Sequence, residues 1–597
     1  MCGIIAYAGK KEAYLILLTG LEKLEYRGYD SAGICTQHNS SLLLNKHIGR
    51  VATLNQTVLP GNLGIAHTRW ATHGPPSDKN SHPFLSQNQQ FAVVHNGIIE
   101  NYLELKEHLR TKSNNTIQFT SDTDSEVITH LIELEYNTTA NKDFKQAILN
   151  TIQHLIGAYA FCVINNDTNE IIGARNGSPL VIGINKEHNE HFLASDISAI
   201  IEHTRKVIYL NDFECAKITP HNIELFTFQN QPIQNINDRI KTINWNLEQS
   251  QKQGYKHFML KEIMEQPTII KDSLTIPITL PKPFSQTNPP KKIIITACGT
   301  ALYAGHIAKY LIEQHTKIPT NIEIASELRY KQPLFHKDDL VIVISQSGET
   351  ADTLAALRIA KQHHIKTMGI INVIDSTIAR EVDHVIYTRA GPEIGVASTK
   401  ALTAQLIILY KIIEYLTNQS LHLDLLPNLF TTQLNPQHQN HIQSLAEKYI
   451  STHHMMYIGR NINYPLAQEG ALKLKEISYI HAEAYPAGEL KHGPIALISE
   501  DFPTLAICPK DTLYDKTISN IQEIKARSGP IIAITTEGDT KITTLTNDII
   551  SIPNIQHQHL NPFLILLPLQ LFAYYLANKK ECDIDKPRNL AKSVTVE

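Results

Sequence analysis

Residues 340–350 read Leu340-Val341-Ile342-Val343-Ile344-Ser345-Gln346-Ser347-Gly348-Glu349-Thr350, an apolar run that leads into a short polar turn. Consecutive aliphatic residues of this kind are typical of a strand buried on both faces, as in a parallel sheet. An amphipathic segment begins near Thr353, so the sequence predicts a strand, a tight turn and a helix. This unit is the building block of an α/β fold in which helices cover both faces of the sheet.

The turn at residues 345–350 admits two interpretations. Hydroxyl groups and backbone N–H groups at a helix N-terminus form an anion site, which suits a phosphate group. A capping box would instead use one serine and the glutamate to satisfy the first N–H groups of the helix. Capping leaves Gln346, Ser347 and Thr350 without a role. Phosphate binding is therefore the favoured interpretation.

The same pattern recurs in the C-terminal half of the chain. Residues 293–297 and 455–458 each predict a strand, and each run is followed by a glycine, Gly299 or Gly459, and then by a helical segment. Self-similarity of this kind predicts two diverged copies of one α/β domain.

Upstream of these copies the composition and the hydrophobic pattern of the sequence change. Prolines concentrated at residues 276–290 exclude a helix or a central strand, so this stretch is interpreted as part of a linker. Before it, short alternating runs such as residues 91–95, 158–163 and 192–195 predict a β-rich domain. The predicted boundaries are 1–240 for the first domain, 241–290 for the linker, 291–430 and 445–585 for the two α/β domains, and 586–597 for a C-terminal tail.

Composition and charge exclude several classes of function. The 597 residues are 42% hydrophobic and carry a net charge of −4, so neither nucleic acid nor a membrane is expected as a partner. Seven cysteines without a CxxC pair fit no disulfide framework, which together with the absence of a signal sequence predicts a cytoplasmic protein. No metal and no other cofactor are expected. The apolar run 563–577 is shorter than the ~20 residues of a membrane span and predicts a buried helix.

The second residue is Cys2, in the sequence Met1-Cys2-Gly3-Ile4-Ile5. Removal of Met1 would give Cys2 a free α-amine, and an amine with a pKa of about 7.7–8.0 accepts a thiol proton close to neutral pH. The resulting thiolate attacks acyl carbons far better than the thiol does. Cys2 is therefore a candidate nucleophile for amide cleavage, although an isolated cysteine is more often a small buried residue.

Two motifs within the first hundred residues support this chemistry, His67-Thr68-Arg69-Trp70-Ala71-Thr72-His73-Gly74 and His95-Asn96-Gly97-Ile98-Ile99-Glu100-Asn101. Together with Cys2, and in this order, they closely resemble the class II glutamine amidotransferases. The resemblance covers the first domain. It implies glutamine as a substrate and the α+β N-terminal-nucleophile hydrolase fold, an αββα sandwich.

The resemblance also implies roles for individual residues. Asn96 and Gly97 match the pair that stabilises the tetrahedral oxyanion, although Asn-Gly after a strand is also the usual signal of a type I′ hairpin turn. Arg69 and Asp124 match the groups that bind the α-carboxylate and α-ammonium groups of glutamine. The alternatives are a surface cation–π pair of Arg69 with Trp70 and a helix N-cap at Asp124. Further glutamine-binding positions, mostly in a loop that closes over the substrate, are Trp70, Thr72, His73 and His82.

A predicted helix in the second α/β copy carries three charged residues on one face. Glu469, Lys473 and Glu476 recur at i, i+4 and i+7, a pattern that a solvated row of ion pairs would also produce. With the turn at 345–350 and the segments 488–494 and 589–597, these residues resemble the sugar isomerase (SIS) domain, a doubly wound, flavodoxin- or Rossmann-like α/β fold. The chain as a whole is similar to the isomerizing glutamine:fructose-6-phosphate amidotransferase family.

This resemblance implies L-glutamine and D-fructose 6-phosphate as substrates and glucosamine 6-phosphate as the product. In the family a histidine, here His492, opens the sugar ring, and a lysine, here Lys592, forms a Schiff base with C2. Glu476 transfers a proton between C1 and C2, and Lys473 assists. The family is a homodimer through its SIS domains, with the histidine reaching the neighbouring subunit. Positions for the sugar phosphate are Thr300, Ser345, Gln346, Ser347, Thr350 and Ser398.

One position departs from the family pattern. Ala301 stands where a serine is usual, so one hydroxyl is missing near the phosphate, at an expected cost on the order of 1 kcal/mol for one hydrogen bond.

Two other functions fit part of the sequence. Other class II amidotransferases need nucleotide or phosphoribosyl loops, or flavin and cluster cysteines, and the sequence carries none of these. A sugar-phosphate sensor with an inactive amidase half needs the phosphate turn but not the proton-transfer set. A sensor would not need the residues proposed for catalysis, which are Cys2, Asn96, Glu476, His492 and Lys592. Their joint presence favours an enzyme that uses both halves.

Overall fold

The computed structural model describes residues 2–243 and 252–595, which divide into two compact units. The first unit holds the described residues up to 243 together with 591–595, and the second holds residues 252–590. Met1, the linker residues 244–251 and the last two residues of the predicted tail, 596–597, lie outside the described residues.

The first unit is built from two antiparallel sheets and four helices of 11–13 residues. Its helices are α1 (Ala13–Leu24), α2 (Tyr102–Lys112), α3 (Glu126–Thr138) and α4 (Phe144–His154). Its strands are β1 (Gly3–Ala8), β2 (Ser31–His38), β3 (Ser41–Ile48), β4 (Leu63–Arg69), β5 (Phe84–Leu85), β6 (Phe91–Gly97), β7 (Tyr159–Asn165), β8 (Ile171–Asn176), β9 (Val181–Asn185), β10 (Glu190–Ala194), β11 (Lys206–Tyr209), β12 (Glu214–Ile218), β13 (Ile223–Thr227) and β14 (Lys241–Thr242).

The two sheets pack face to face. The strand orders are β14-β11-β9-β10-β1-β4-β2-β3 and β13-β12-β8-β7-β6-β5. Side chains alternate along β1, so Ile4 enters the apolar layer shared with Val94 of β6, while Ile5 enters the layer beneath α1. Val93 points to the opposite side of β6, into the layer formed by α2, α3 and α4. The predicted αββα sandwich is confirmed.

The second unit contains two five-stranded parallel sheets. Its strands are β15 (Lys292–Ala297), β16 (Thr320–Ile324), β17 (Asp339–Ser345), β18 (Lys366–Ile371), β19 (His384–Tyr387), β20 (His454–Gly459), β21 (His481–Pro486), β22 (Thr504–Ile507), β23 (Ile531–Thr536) and β24 (Asp548–Ile552). Its helices are α5 (Phe258–Met264), α6 (Gln266–Leu274), α7 (Gly299–Thr316), α8 (Ala325–Leu328), α9 (Ala351–Gln362), α10 (Thr377–Glu381), α11 (Lys400–Thr417), α12 (Leu426–Gln433), α13 (Pro436–Lys448), α14 (Asn463–Ser478), α15 (Tyr514–Lys525) and α16 (Asn561–Lys579).

Both sheets have the same topology. Their orders are β16-β15-β17-β18-β19 and β21-β20-β22-β23-β24. In each sheet the second strand in chain order is the edge strand beside the first, and the third strand pairs with the other side of the first. The prediction of two copies of one doubly wound domain is therefore confirmed. In such sheets ligands bind at the carboxyl ends of the strands where the order reverses, which in the first copy is between β15 and β17.

Helix α16 contains the apolar run noted in the sequence. By length and composition it is the one described helix that could cross a membrane, but 94% of the relevant window is buried inside the protein. The prediction of a buried core helix is confirmed. The argument from shortness was wrong, because the helix extends past both ends of the run, from Asn561 to Lys579, and is long enough for a span.

The proline-rich stretch 276–290 contains no helix or strand, as predicted. The preceding residues of the predicted linker form α5 and α6, and Met259, Ile263 and Ile270 lie in the apolar core of the second unit. The exact domain limits stay predictions.

Candidate active sites

Cys2 lies directly before β1, and the pairing of β1 with β4 sets Gly3 opposite Thr68. The thiol therefore lies beside the end of β4, where the Trp70 N–H donates to Cys2 Sγ at 3.3 Å. Burial raises the pKa of the Cys2 thiol, and the Trp70 N–H and the charge of Arg69 oppose this rise without cancelling it. A base is needed to form the thiolate.

Asn96 and Gly97 end β6, where they pair with Ala160 and Tyr159 of β7. The Asn96 Nδ2–H group donates to the backbone oxygen of Cys2 at 3.0 Å. Because β7 follows only after three helices, the hairpin-turn interpretation is wrong. Gly97 has φ +126°, and a Cβ there would lie 2.0 Å from the Ala158 oxygen, so the position requires glycine.

Arg69 is 4% exposed, which excludes the surface cation–π pair. Its Nη2 donates to the backbone oxygens of His73 and Gly74. Its Nη1 is buried and has no hydrogen-bond partner within the described part of the chain. A buried guanidinium with unused donors is suited to bind an anionic group.

Asp124 is also buried, and its Oδ2 accepts the N–H of Ile99 at 2.8 Å. The residue at the N-cap position of α3 is Ser125, whose side chain makes no cap. The N-cap interpretation of Asp124 is therefore wrong. The carboxylate connects the segment after Gly97 to the start of α3.

The remaining glutamine-binding candidates differ in environment. Thr72 is exposed, whereas Trp70 and His73 are half-buried, and the His73 ring meets Tyr102 edge-on at 5.5 Å. His82, by contrast, is buried and stacks on His67 with 4.0 Å between ring centroids.

The turn after β17 has an internal hydrogen-bond network. The Gly348 N–H donates to Ser345 Oγ at 2.9 Å, and Ser345 Oγ lies 3.1 Å from Thr350 Oγ1. The Glu349 carboxylate accepts both the N–H and the hydroxyl of Thr377, each at 2.7 Å, and α9 has no side-chain cap. The capping-box interpretation is therefore wrong. The half-buried side chains at this turn include those of Gln346, Ser347 and Thr350.

A charged cluster on α14 is buried, not solvated. Lys473 Nζ lies 2.6 Å from Glu476 Oε2 and 3.6 Å from Glu469 Oε1, and the Lys473 and Glu469 side chains are 1% and 0% exposed. Lys473 Nζ also donates to Thr300 Oγ1 at 3.0 Å. Thr300 lies in the first turn of α7, which follows β15. The cluster therefore lies at the carboxyl edge of the first parallel sheet, where β15 and β17 are neighbours.

The cluster holds one ammonium group and two carboxyl groups. Burial raises the pKa of Glu469 to about 7, although the Lys473 ammonium opposes the rise. Burial disfavours the Lys473 charge, but the two glutamates outweigh this effect and raise the pKa of Lys473. Near neutral pH, Glu469 therefore takes up or releases a proton readily, while Lys473 keeps its charge.

The last two predicted catalytic residues lie in other surroundings. His492 is exposed at the end of the short helix Ala487–His492, and no hydrogen bond of its side chain is found among the described residues. Lys592 is half-buried in segment 591–595, which belongs to the first unit. The roles of both residues stay predictions.

Residues 2–243 and 252–595 contain no group of three histidine, cysteine, aspartate or glutamate side chains that could hold a metal ion.

Comparison with known proteins identifies the parts of the chain. Residues 67–202 match the glutamine amidotransferase domain, and residues 288–415 and 448–579 each match the SIS domain. The glutamine–fructose-6-phosphate aminotransferases (isomerizing) of Aquifex aeolicus and Chlorobaculum tepidum are each 46% identical to this chain, with all of both chains covered. The chain belongs to the isomerizing glutamine–fructose-6-phosphate aminotransferases. The C-terminal domain of the Francisella tularensis glucosamine–fructose-6-phosphate aminotransferase matches with TM-score 0.53 and 41% identity, covering 56% of this chain and 99% of that one.

In this aminotransferase, sequence reasoning missed Glu393. Its carboxylate accepts the Ser398 hydroxyl at 2.9 Å and the N–H groups of Thr399 and Ala401 at 2.9 and 3.0 Å. Glu393 thereby holds the predicted sugar-phosphate residue Ser398 at the start of α11. No local pattern marks it, because a glutamate in a polar loop is usually solvated.

The raised pKa of Glu469 predicts a pH-dependent effect of Glu469→Gln on stability. As pH rises from 4.5 to 7, Glu469 ionises in the unfolded chain but keeps its proton in the native one, so this group lowers wild-type stability progressively. The glutamine variant lacks this loss. Its stability relative to wild type is expected to rise by on the order of 1–3 kcal/mol between pH 4.5 and 7.5, measured by hydrogen exchange of α14 peptides.

The matched control is Glu489→Gln, which alters an exposed side chain of the same unit and is expected to show no such change. A relative stability of Glu469→Gln that falls as pH rises would contradict the prediction, since it would mean that Glu469 is ionised in the native state.

Proposed function

We propose that this aminotransferase takes ammonia from glutamine at Cys2 and places it on fructose 6-phosphate at the α14 cluster, giving glutamate and glucosamine 6-phosphate. The proposal rests on one observation: the buried Glu469 and Lys473 and the half-buried Glu476 lie together at the sheet edge that also carries the turn at 345–350. A sugar phosphate anchored at that turn would present its carbon chain to groups that hold and move protons.

In the first half-reaction, the Cys2 thiolate attacks the side-chain carbonyl carbon of glutamine after its proton passes to the α-amine. The Asn96 side-chain amide and the Gly97 N–H stabilise the oxyanion. The C–N bond then breaks and ammonia leaves with a proton. Water hydrolyses the thioester, which yields glutamate and restores Cys2. The hydrogen bond from Trp70 N–H to Cys2 Sγ supports this role because it holds the thiol in place.

Glutamine is recognised by its charged end. The buried Arg69 Nη1, which lacks a partner among the described residues, would donate to the α-carboxylate, and Asp124 would accept from the α-ammonium. The segment with Trp70, Thr72 and His73 would cover the bound substrate. For His82 the burial against His67 supports a place beneath this segment.

In the second half-reaction, His492 opens the sugar ring and the Lys592 amine forms an imine at C2, releasing water. Ammonia displaces the lysine from this imine. Glu476 then takes the proton from C1 and returns one to C2, so the C1 hydroxyl carbon becomes an aldehyde and C2 carries the amine. Lys473 stabilises the negative charge that develops. The phosphate is held by Ser345, Gln346, Ser347 and Thr350, with Thr300 and Ser398 beside them.

We also propose a cytoplasmic homodimer through the SIS domains. All seven cysteines are free, which suits a reducing compartment. The exposed His492 has no hydrogen-bond partner in the described ranges, which suits a residue completed by a second subunit.

Cys2→Ala is expected to lower glutamate release by more than about a thousandfold, since no other described group replaces the nucleophile. Binding of fructose 6-phosphate, measured by calorimetry, is expected to be unchanged. The control is Cys582→Ala, which removes a half-buried thiol of the second unit and leaves both activities intact. Loss of sugar binding in a folded Cys2→Ala variant would refute the division of labour.

Lys592→Ala is expected to stop glucosamine 6-phosphate formation while glutamine hydrolysis continues, because only an amine forms the imine. Borohydride treatment of the wild type with fructose 6-phosphate is expected to add the sugar to the peptide that contains Lys592, as read by mass spectrometry. Lys579→Ala, at an exposed ion pair with Glu447, is the control. Synthesis at the wild-type rate without Lys592 would exclude the imine.

The dimer predicts a solution molar mass of twice 67.1 kDa by light scattering. His492→Ala is expected to keep this mass and to lose activity on the cyclic sugar. A monomer with full activity would rule out a shared site.

A further inference from the structure

His67 lies in β4, two residues before Arg69, and is 1% exposed. Its Nε2 lies 2.9 Å from the backbone oxygen of His95 and 3.0 Å from Asn96 Oδ1. Both of these oxygens are acceptors. The Nε2 atom must therefore carry the ring proton and donate it to both.

This contact determines which end of the Asn96 amide faces Cys2. With Oδ1 accepting from His67, the Nδ2–H group is directed at the Cys2 backbone oxygen, 3.0 Å away. Rotating the amide by half a turn would set its N–H group against the His67 N–H group and its oxygen against the Cys2 oxygen. Both contacts would be repulsive, so one orientation is selected.

The surroundings keep His67 neutral. Its Nδ1 is buried without a hydrogen-bond partner in the described part of the protein, so a second ring proton would be unsatisfied. Burial lowers the pKa of His67 to about 3, and the nearby charge of Arg69 acts in the same direction. The His82 ring, stacked at 4.0 Å, closes one face of the imidazole. The donor at Nε2 is therefore present throughout the neutral range.

We propose that His67 is a positioning residue for glutamine hydrolysis, which holds the Asn96 amide so that its N–H group meets the oxyanion formed at Cys2. This inference rests on the proposed glutaminase role of Cys2 and Asn96. An oxyanion exists in the transition state and not in bound glutamine. Loss of the orientation is therefore expected to lower kcat and to leave KM for glutamine nearly unchanged.

The test compares His67→Phe, which keeps an aromatic ring against His82 but has no donor, with His67→Gln, which restores an N–H donor. Removal of one oxyanion donor in other enzymes costs about 10²–10³-fold in kcat. Since Asn96 is still present, His67→Phe is expected to lose about 10- to 100-fold in kcat, and His67→Gln to recover part of this loss.

A second measurement distinguishes loss of the Asn96 amide orientation from general disruption of the glutamine site. The γ-aldehyde analogue of glutamine adds to the Cys2 thiol, and its oxygen then occupies the oxyanion position. In His67→Phe the affinity for this aldehyde is expected to fall by the same factor as kcat, while the affinity for glutamate is unchanged. His67→Leu serves the same comparison if the phenylalanine variant does not fold.

The matched control is His191→Leu. His191 is also buried and donates from Nδ1 to a backbone oxygen, that of Thr219 at 2.7 Å. It pairs with Ala8 at the far end of β1, about 20 Å along the strand from Cys2. Its loss is expected to leave kcat and the aldehyde affinity unchanged.

An unchanged kcat in His67→Phe, or equal losses of aldehyde and glutamate affinity, would overturn the inference. Failure of the proposed function has a different signature, because the wild-type protein itself would then release no glutamate from glutamine.

Discussion

The pairing of β1 with β4 sets Gly3 opposite Thr68, and the position of the Cys2 thiol depends on this register. A shift by one residue would turn Ile4 away from the layer between the sheets and Ile5 away from α1. Each of these side chains is fully buried, so the shift would expose or misplace the core of the sandwich. The hydrophobic pattern of one central strand therefore also fixes the cysteine beside Trp70 and Arg69.

The second unit shows how a charged cluster is maintained inside a protein. Burial of the α14 charges is costly, and a lysine alone in this position would lose its proton. Two glutamates and the Thr300 hydroxyl surround the Lys473 ammonium, so its charge is retained. Burial raises the pKa of Glu469 to about 7, with the Lys473 ammonium opposing the rise and the Glu476 charge adding to it, so Glu469 titrates near neutral pH. A group in this state is well placed to support proton transfer between two carbon atoms.

Both sites place their polar groups where strands end. Arg69 is the last residue of β4, Asn96 the last but one of β6, and Ser345 the last of β17. At a strand end, side chains and backbone N–H groups are not engaged in the hydrogen bonds of the sheet, while the strand itself holds them in fixed positions. Residues without such support, such as Thr72 and His492, are exposed. They belong to the parts that the proposed mechanism requires to close on a substrate or to meet another subunit.

The sequence predicted the fold class, the strands at 91–95 and 340–344, and the duplication, because alternation and apolar runs are local properties that the core preserves. It also located the candidate residues in their motifs. It left open whether Asn96-Gly97 was a turn, whether Arg69 was at the surface and whether the α14 charges were solvated.

These choices depend on residues that are distant in the chain. Asn96 meets Cys2 and His67 from the opposite sheet of the sandwich, and Lys473 meets Thr300 from the other α/β copy. Burial and hydrogen-bond partners are set by packing between segments, which local periodicity does not encode. For the same reason the orientation of the Asn96 amide, the role of Glu393 and the raised pKa of Glu469 were decided by the tertiary structure alone.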